Sequence, residues 1–182
     1  MIKGNYNLLI NTAYIDYKGD ESVEIAKIVD ITSNKDVMYI DYEKNLYSTH
    51  GYHMCVDVYE SSEGDFPVAK VDDNHRLCLI EHPDVFITLI LHELGHFLNG
   101  DFTDASKTNK EIQEERMRCI LDGKIQDIER KADYFAFKQV GRNTFIRAMD
   151  YLIAQRKKRK DRDMLLAIKE FEIRKAACKK YK

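Results

Sequence analysis

The stretch "ITLILHELGHFLNG", residues 87–100, constrains the fold of this chain more than any other passage. Ile87, Leu89, Ile90, Leu91, Leu94, Phe97 and Leu98 cover most sides of a helix drawn through it, so that helix has to be buried. Yet His92, Glu93 and His96 stand in its middle, and polar groups in such a helix are costly unless something satisfies them. Positions i and i+4 share one helix face, so the two imidazoles project side by side. Gly95 costs about 1 kcal/mol against Ala in a helix interior. A second backbone passing close to it would account for that cost. Any fold for this sequence must therefore bring a partner to that face.

His92-Glu93-Leu94-Gly95-His96 fits H-E-x-x-H, in which two histidines grip one zinc ion and the glutamate serves as general base. Glu93 lies about 100° round the helix from His92, which aims it at the attacking water rather than at the ion. Catalytic zinc takes three protein ligands and keeps one position open. The third is not supplied nearby. The extended pattern with His or Asp six residues past the second His meets Phe102 instead. No histidine follows His96; His50, His53, His75 and His82 are all upstream.

A carboxylate on a later helix is therefore expected. Asp101 and Asp104 stand just past the HELGH helix, too near in sequence to swing back to the ion. Glu111, Glu114 and Glu115 lie in "NKEIQEERMR", which reads as a solvated face. Glu129 lies in "IERKADYFAF", on one face with Ile125, Ala132, Asp133, Ala136 and Val140. Small residues there let two helices approach closely, as a shared metal requires. Glu129 is the expected third ligand, with the Glu111–Glu115 group as the alternative. Asp133, one turn on, is placed to accept the far N–H of a ligand histidine and fix its tautomer.

H-E-L-G-H followed by E-x-x-A-D-x-F-A ("ERKADYFA"), with 33 residues from His96 to Glu129, resembles the ImmA/IrrE-type zinc metallopeptidases. It is similar, more loosely, to the HtpX/Ste24-type peptidases. The resemblance covers about residues 85–140. It implies His92, His96 and Glu129 as zinc ligands, Glu93 as general base, and a bacterial or phage regulatory peptidase acting on a protein partner. The rival expectation is a non-catalytic, metal-containing regulatory module that binds a protein or nucleic acid.

The rest of the chain predicts one α+β domain over residues 1–182. Residues 1–82 read mainly as strands forming a small curved sheet, and residues 83–182 mainly as helices. "YNLLI", "DVMYIDY", "MCVDVY" and "FPVAKV" carry strand signals. "HRLCLIEH" reads as a further strand, one that could run beside the cleft and pair with substrate. "DESVEIAKIVDI" is ambiguous between strand and helix, and "KVDDNH" reads as a turn. Thr108 with Glu111 fits a capping box. Tyr134, His75 and Arg76 are the candidate donors to an oxyanion.

Charge is uneven along the chain. Residues 1–105 hold 7 Lys+Arg against 19 Asp+Glu, a balance of −12, and residues 106–182 hold 22 against 12, a balance of +10. Mutual attraction of the two halves is the plain reading. "QRKKRKDR" at 155–162 could meet nucleic-acid phosphates, but without interleaved aromatics it reads better as a basic helix end. Cys55, Cys78, Cys119 and Cys178 form no C-x-x-C pair, and the N-terminal residues lack a secretory apolar core. Free thiols, a cytoplasmic setting and no membrane span are expected.

Overall fold

The structure, a computed structural model, describes residues 4–19, 21–46, 54–60, 62, 64–101, 109–158 and 164–181. Five strands come first: β1 (Tyr6–Ile10), β2 (Val23–Asp30), β3 (Lys35–Tyr42), β4 (Met54–Tyr59) and β5 (Phe66–Val71). Six helices follow among the described residues: α1 (Asp73–Glu81), α2 (Pro83–Leu98), α3 (Asn109–Leu121), α4 (Asp127–Val140), α5 (Arg142–Lys158) and α6 (Met164–Cys178). The architecture is α+β, with an open sheet in the order β1-β2-β3-β5-β4. All neighbours pair antiparallel except β3 and β5, which run parallel from Tyr39↔Val68 to Tyr42↔Val71. The sheet is therefore mixed, and β4 is one of its two edges.

One contiguous apolar cluster joins sheet and helices. Ile25, Ile28, Met38 and Ile40 of the sheet and Phe86, Ile90, Leu91 and Leu94 of α2 are all fully buried within it. Strand β3 alternates as a half-buried strand should, with Met38, Ile40 and Tyr42 inward. Strand β2 does not alternate. Ile25, Ala26, Ile28 and Val29 are all buried, and register shifts fall at Glu24/Ala26 and at Ile28/Val29. Each bulge turns two successive residues to the same side. Apolar residues at i, i+1, i+3 and i+4 mimic a helix face, which is why the sequence there was ambiguous.

"HRLCLIEH" is not a strand; it forms most of α1. The preceding "DD" is a helix start and not merely a turn. The Asp72 carboxylate accepts from the backbone N–H groups of Asn74 (3.0 Å) and His75 (3.1 Å), an N-cap. Burial then follows helical spacing, with Cys78 and Leu79 inside and Leu77 and Ile80 half exposed. Thr108 of the expected capping box lies outside the described residues, as do His50, His53 and Asp104. No helix among the described residues is long and apolar enough to cross a membrane. All four thiols are free.

Helix α2 is central to the molecule. Pro83 opens it, and eleven of its residues, from Val85 through His96, are buried. Gly95 meets α4 at the tightest point. A Cβ added there would sit 3.1 Å from the Ala132 Cα and 3.3 Å from the Ala132 carbonyl oxygen. The absent side chain is what lets the two helices close, and it answers the energetic cost of glycine in mid-helix.

Candidate metal centre

His92 and His96 each keep only 8% exposure on α2. Glu129 comes from the first turn of α4, where the positive end of the helix dipole favours a carboxylate. Their donor atoms converge. Nε2 of His92 lies 3.1 Å from Nε2 of His96 and 3.3 Å from Glu129 Oε2, and Nε2 of His96 lies 3.8 Å from Glu129 Oε1. Ligands about 2.0–2.1 Å from a tetrahedral zinc ion stand roughly 3.3–3.4 Å apart, so this donor set fits such an ion. Among the described residues it is the one group of three or more His, Cys, Asp or Glu that could hold a metal.

The outer nitrogens give the stronger argument. Nδ1 of His92 lies 3.0 Å from Asp133 Oδ1, and Nδ1 of His96 lies 2.9 Å from Asp101 Oδ2. A carboxylate opposite Nδ1 keeps the proton on that nitrogen, so in the neutral imidazole Nε2 carries the lone pair. Two lone pairs and a carboxylate oxygen then face one another, with Arg174 N–H groups at their margin, 3.4 Å from His92 Nε2 and 3.4 Å from Glu129 Oε2. Such a convergence of acceptors favours a bound cation. Without a metal a proton fills the need. Burial and the Arg174 cation push His92 down, but its bonds to Asp133 and Glu129 outweigh them and raise it to about 9. Burial alone would raise Glu129, yet the His92 bond and the Arg174 charge hold it well below the usual carboxylate range.

Local structure explains how Asp101 arrives. Asn99-Gly100 ends α2 in a Schellman turn, with Gly100 N–H donating to Phe97 O (3.0 Å) and Asp101 N–H to His96 O (3.0 Å). Gly100 takes the positive φ of 74° that this turn requires. The turn folds Asp101 back over the last helical turn and onto His96. Asp101 does reach back, then, but to the imidazole rather than to the ion site. The signal was present in "NG-D": the residue after a glycine cap stacks over the third residue from the helix end, here His96.

Asp133 is fully buried behind His92. Glu111 and Glu114 are exposed, Glu114 lying 3.8 Å from Lys110, and Glu115 lines a neighbouring cavity. That cavity, of about 360 Å³, lies between the end of α2, α3 and the start of α4, and Asp101, Gln126 and Ile128 also border it. None of the three glutamates joins the cluster.

The candidate oxyanion donors are engaged elsewhere. Tyr134 is 40% exposed with its ring 5.4 Å from that of Tyr181, His75 bonds Asp72 at 3.1 Å, and Arg76 bonds Asp73 at 2.7 Å. Glu93 is half-buried, and burial, with Asp57 and lesser contributions from Glu43 and Glu93, raises the Cys55 thiol.

Arg174 of α6 was not foreseen. Its guanidinium packs against Asp133 and Glu129, which together overcome the opposing effect of burial and keep it firmly charged. A sequence signal existed: Ile168, Phe171, Arg174 and Cys178 form the buried stripe of α6, and an arginine on such a stripe needs an internal partner. Comparison with protein-family models, with curated proteins and with solved structures gives no match to this chain.

Proposed function

We propose that this chain is a zinc-dependent peptidase, a reading carried by one observation. Two Nε2 atoms and the Glu129 carboxylate converge at the spacing of a metal ion, each imidazole is backed by a buried or half-buried carboxylate, and a glutamate follows the first histidine. A zinc ion held there would supply Lewis acidity to the scissile carbonyl and to the attacking water. Glu93 takes a proton from that water and passes one to the leaving nitrogen. The C–N bond breaks, the hydroxyl stays on carbon, and the amine leaves protonated. Asp133 and Asp101 hold the Nδ1 protons of His92 and His96, which leaves each Nε2 lone pair to the ion.

The substrate class is a protein or peptide. Among the described residues β4 ends the sheet, and Glu93 acts electrostatically on its Cys55, so this edge is suited to pairing with an extended chain beside the site. The same resemblance that suggests the chemistry suggests a regulatory protein as target.

The test is cleavage of a proteome-derived peptide library followed by mass spectrometry. Protein stripped with a chelator should leave the library intact, and stoichiometric zinc should restore a reproducible set of cuts. A zinc-loaded protein that cuts nothing in the library or in folded candidate partners would favour the rival, a metal-containing binding module.

A further inference from the structure

Glu129 and Asp133 stand one turn apart on the same face of α4, one nearly buried and the other wholly so. Two carboxylates in a low-dielectric setting repel, and each is costly without a cation. Arg174 lies against both. Its Nε donates to Asp133 Oδ2 at 2.9 Å and its Nη2 to Asp133 Oδ1 at 2.5 Å. That two-pronged grip is peculiar to a guanidinium. Its Nη1 lies 3.4 Å from Glu129 Oε2. Arg174 is 6% exposed, and its guanidinium packs over the Phe171 ring, 5.7 Å from its centroid. One turn earlier, Glu170 is held in the same two-pronged way by Arg116 of α3, at 3.0 and 2.7 Å. Helix α6 is thus clamped between α3 and α4.

The clamp meets the ion site directly, with Arg174 Nη2 3.2 Å from Nδ1 of His92 and 3.4 Å from its Nε2, and through a shared carboxylate oxygen. Asp133 Oδ1 faces both Arg174 Nη2 and Nδ1 of His92. Terminal carboxyl torsions are soft, so Asp133 alone does not fix the imidazole behind it. We propose that Arg174 is a positioning residue of the metal centre: by locking Asp133 it holds His92 with Nε2 toward the ion, which makes the last helix part of the site. The inference rests on His92, His96 and Glu129 being the ligands. A pure charge effect has the opposite sign, because a fixed cation beside a metal ion weakens its binding. The direction of change therefore separates the two.

The experiment titrates zinc and cobalt(II) into the full chain against a chromophoric chelator, for wild type, Arg174→Gln, Arg174→Lys, Asp133→Asn and the Arg174→Gln/Asp133→Asn pair. Arg174→Gln is expected to bind about 10–100-fold more weakly, with an altered cobalt visible spectrum. Arg174→Lys keeps the charge but loses the fork, so it should also weaken binding by roughly tenfold or more; it serves where the glutamine variant does not fold. The double variant should bind no worse than its weaker parent, because both residues act through one carboxylate. Unchanged or tighter binding with the wild-type spectrum in Arg174→Lys, or additive losses in the pair, would overturn the proposal. Wild type that binds neither metal is a separate outcome: it overturns the ligand assignment and the inference with it.

Discussion

Glu93→Gln is expected to lower peptide-bond hydrolysis by about 10²–10⁴-fold while zinc content stays at the wild-type level. The amide keeps the size of the carboxylate and loses its ability to accept a proton from water. Nothing in the ligand set changes, because His92, His96 and Glu129 make their contacts without Glu93. Both quantities have to be measured on one preparation, by library cleavage and by elemental analysis. Loss of cleavage together with loss of zinc would mean that Glu93 holds the site together rather than working on substrate. Equal cleavage by variant and wild type would remove the base from the mechanism.

Gly95→Val should act on stability and on metal binding together. Its Cβ would fall 3.1 Å from the Ala132 Cα and 3.2 Å from the Phe135 ring, and the γ carbons would press further into the α4 backbone. Backbone does not move aside as a flexible side chain does. Overpacking of this kind costs about 1–3 kcal/mol, which for a chain of this size lowers Tm by roughly 2–12 °C. The strain has a direction as well. Pushing α4 from α2 carries Glu129 and Asp133 away from the two imidazoles, so zinc should bind more weakly and raise Tm by less than in wild type. A variant with wild-type Tm and affinity would show that the two helices tolerate separation and that Gly95 has another reason to be there.

Much of the centre was legible because helical spacing does the placing. Residues 92 and 96 share a face by their separation alone, and so do 129 and 133, with Ala132 marking where α4 could approach Gly95. What escaped depends on how chain segments turn or dock. Asp101 looks too near in sequence to reach the site, yet a Schellman turn reverses direction within three residues. Arg174 stands 82 residues from His92, and only the docking of α6 brings it in. In the sheet, bulges in β2 gave a strand the apolar spacing of a helix. The α1 segment looks like a strand after a turn because Asp72 suits a turn, yet the same carboxylate caps a helix.

The most direct test of the central claim is metal stoichiometry and affinity for wild type beside Glu129→Ala. Wild type should bind close to one zinc ion per chain. Glu129→Ala should bind far more weakly, with a loss exceeding the ~10–100-fold typical of groups that only orient a ligand. No uptake by the folded wild-type chain, or full affinity retained by Glu129→Ala, would contradict a centre built from His92, His96 and Glu129.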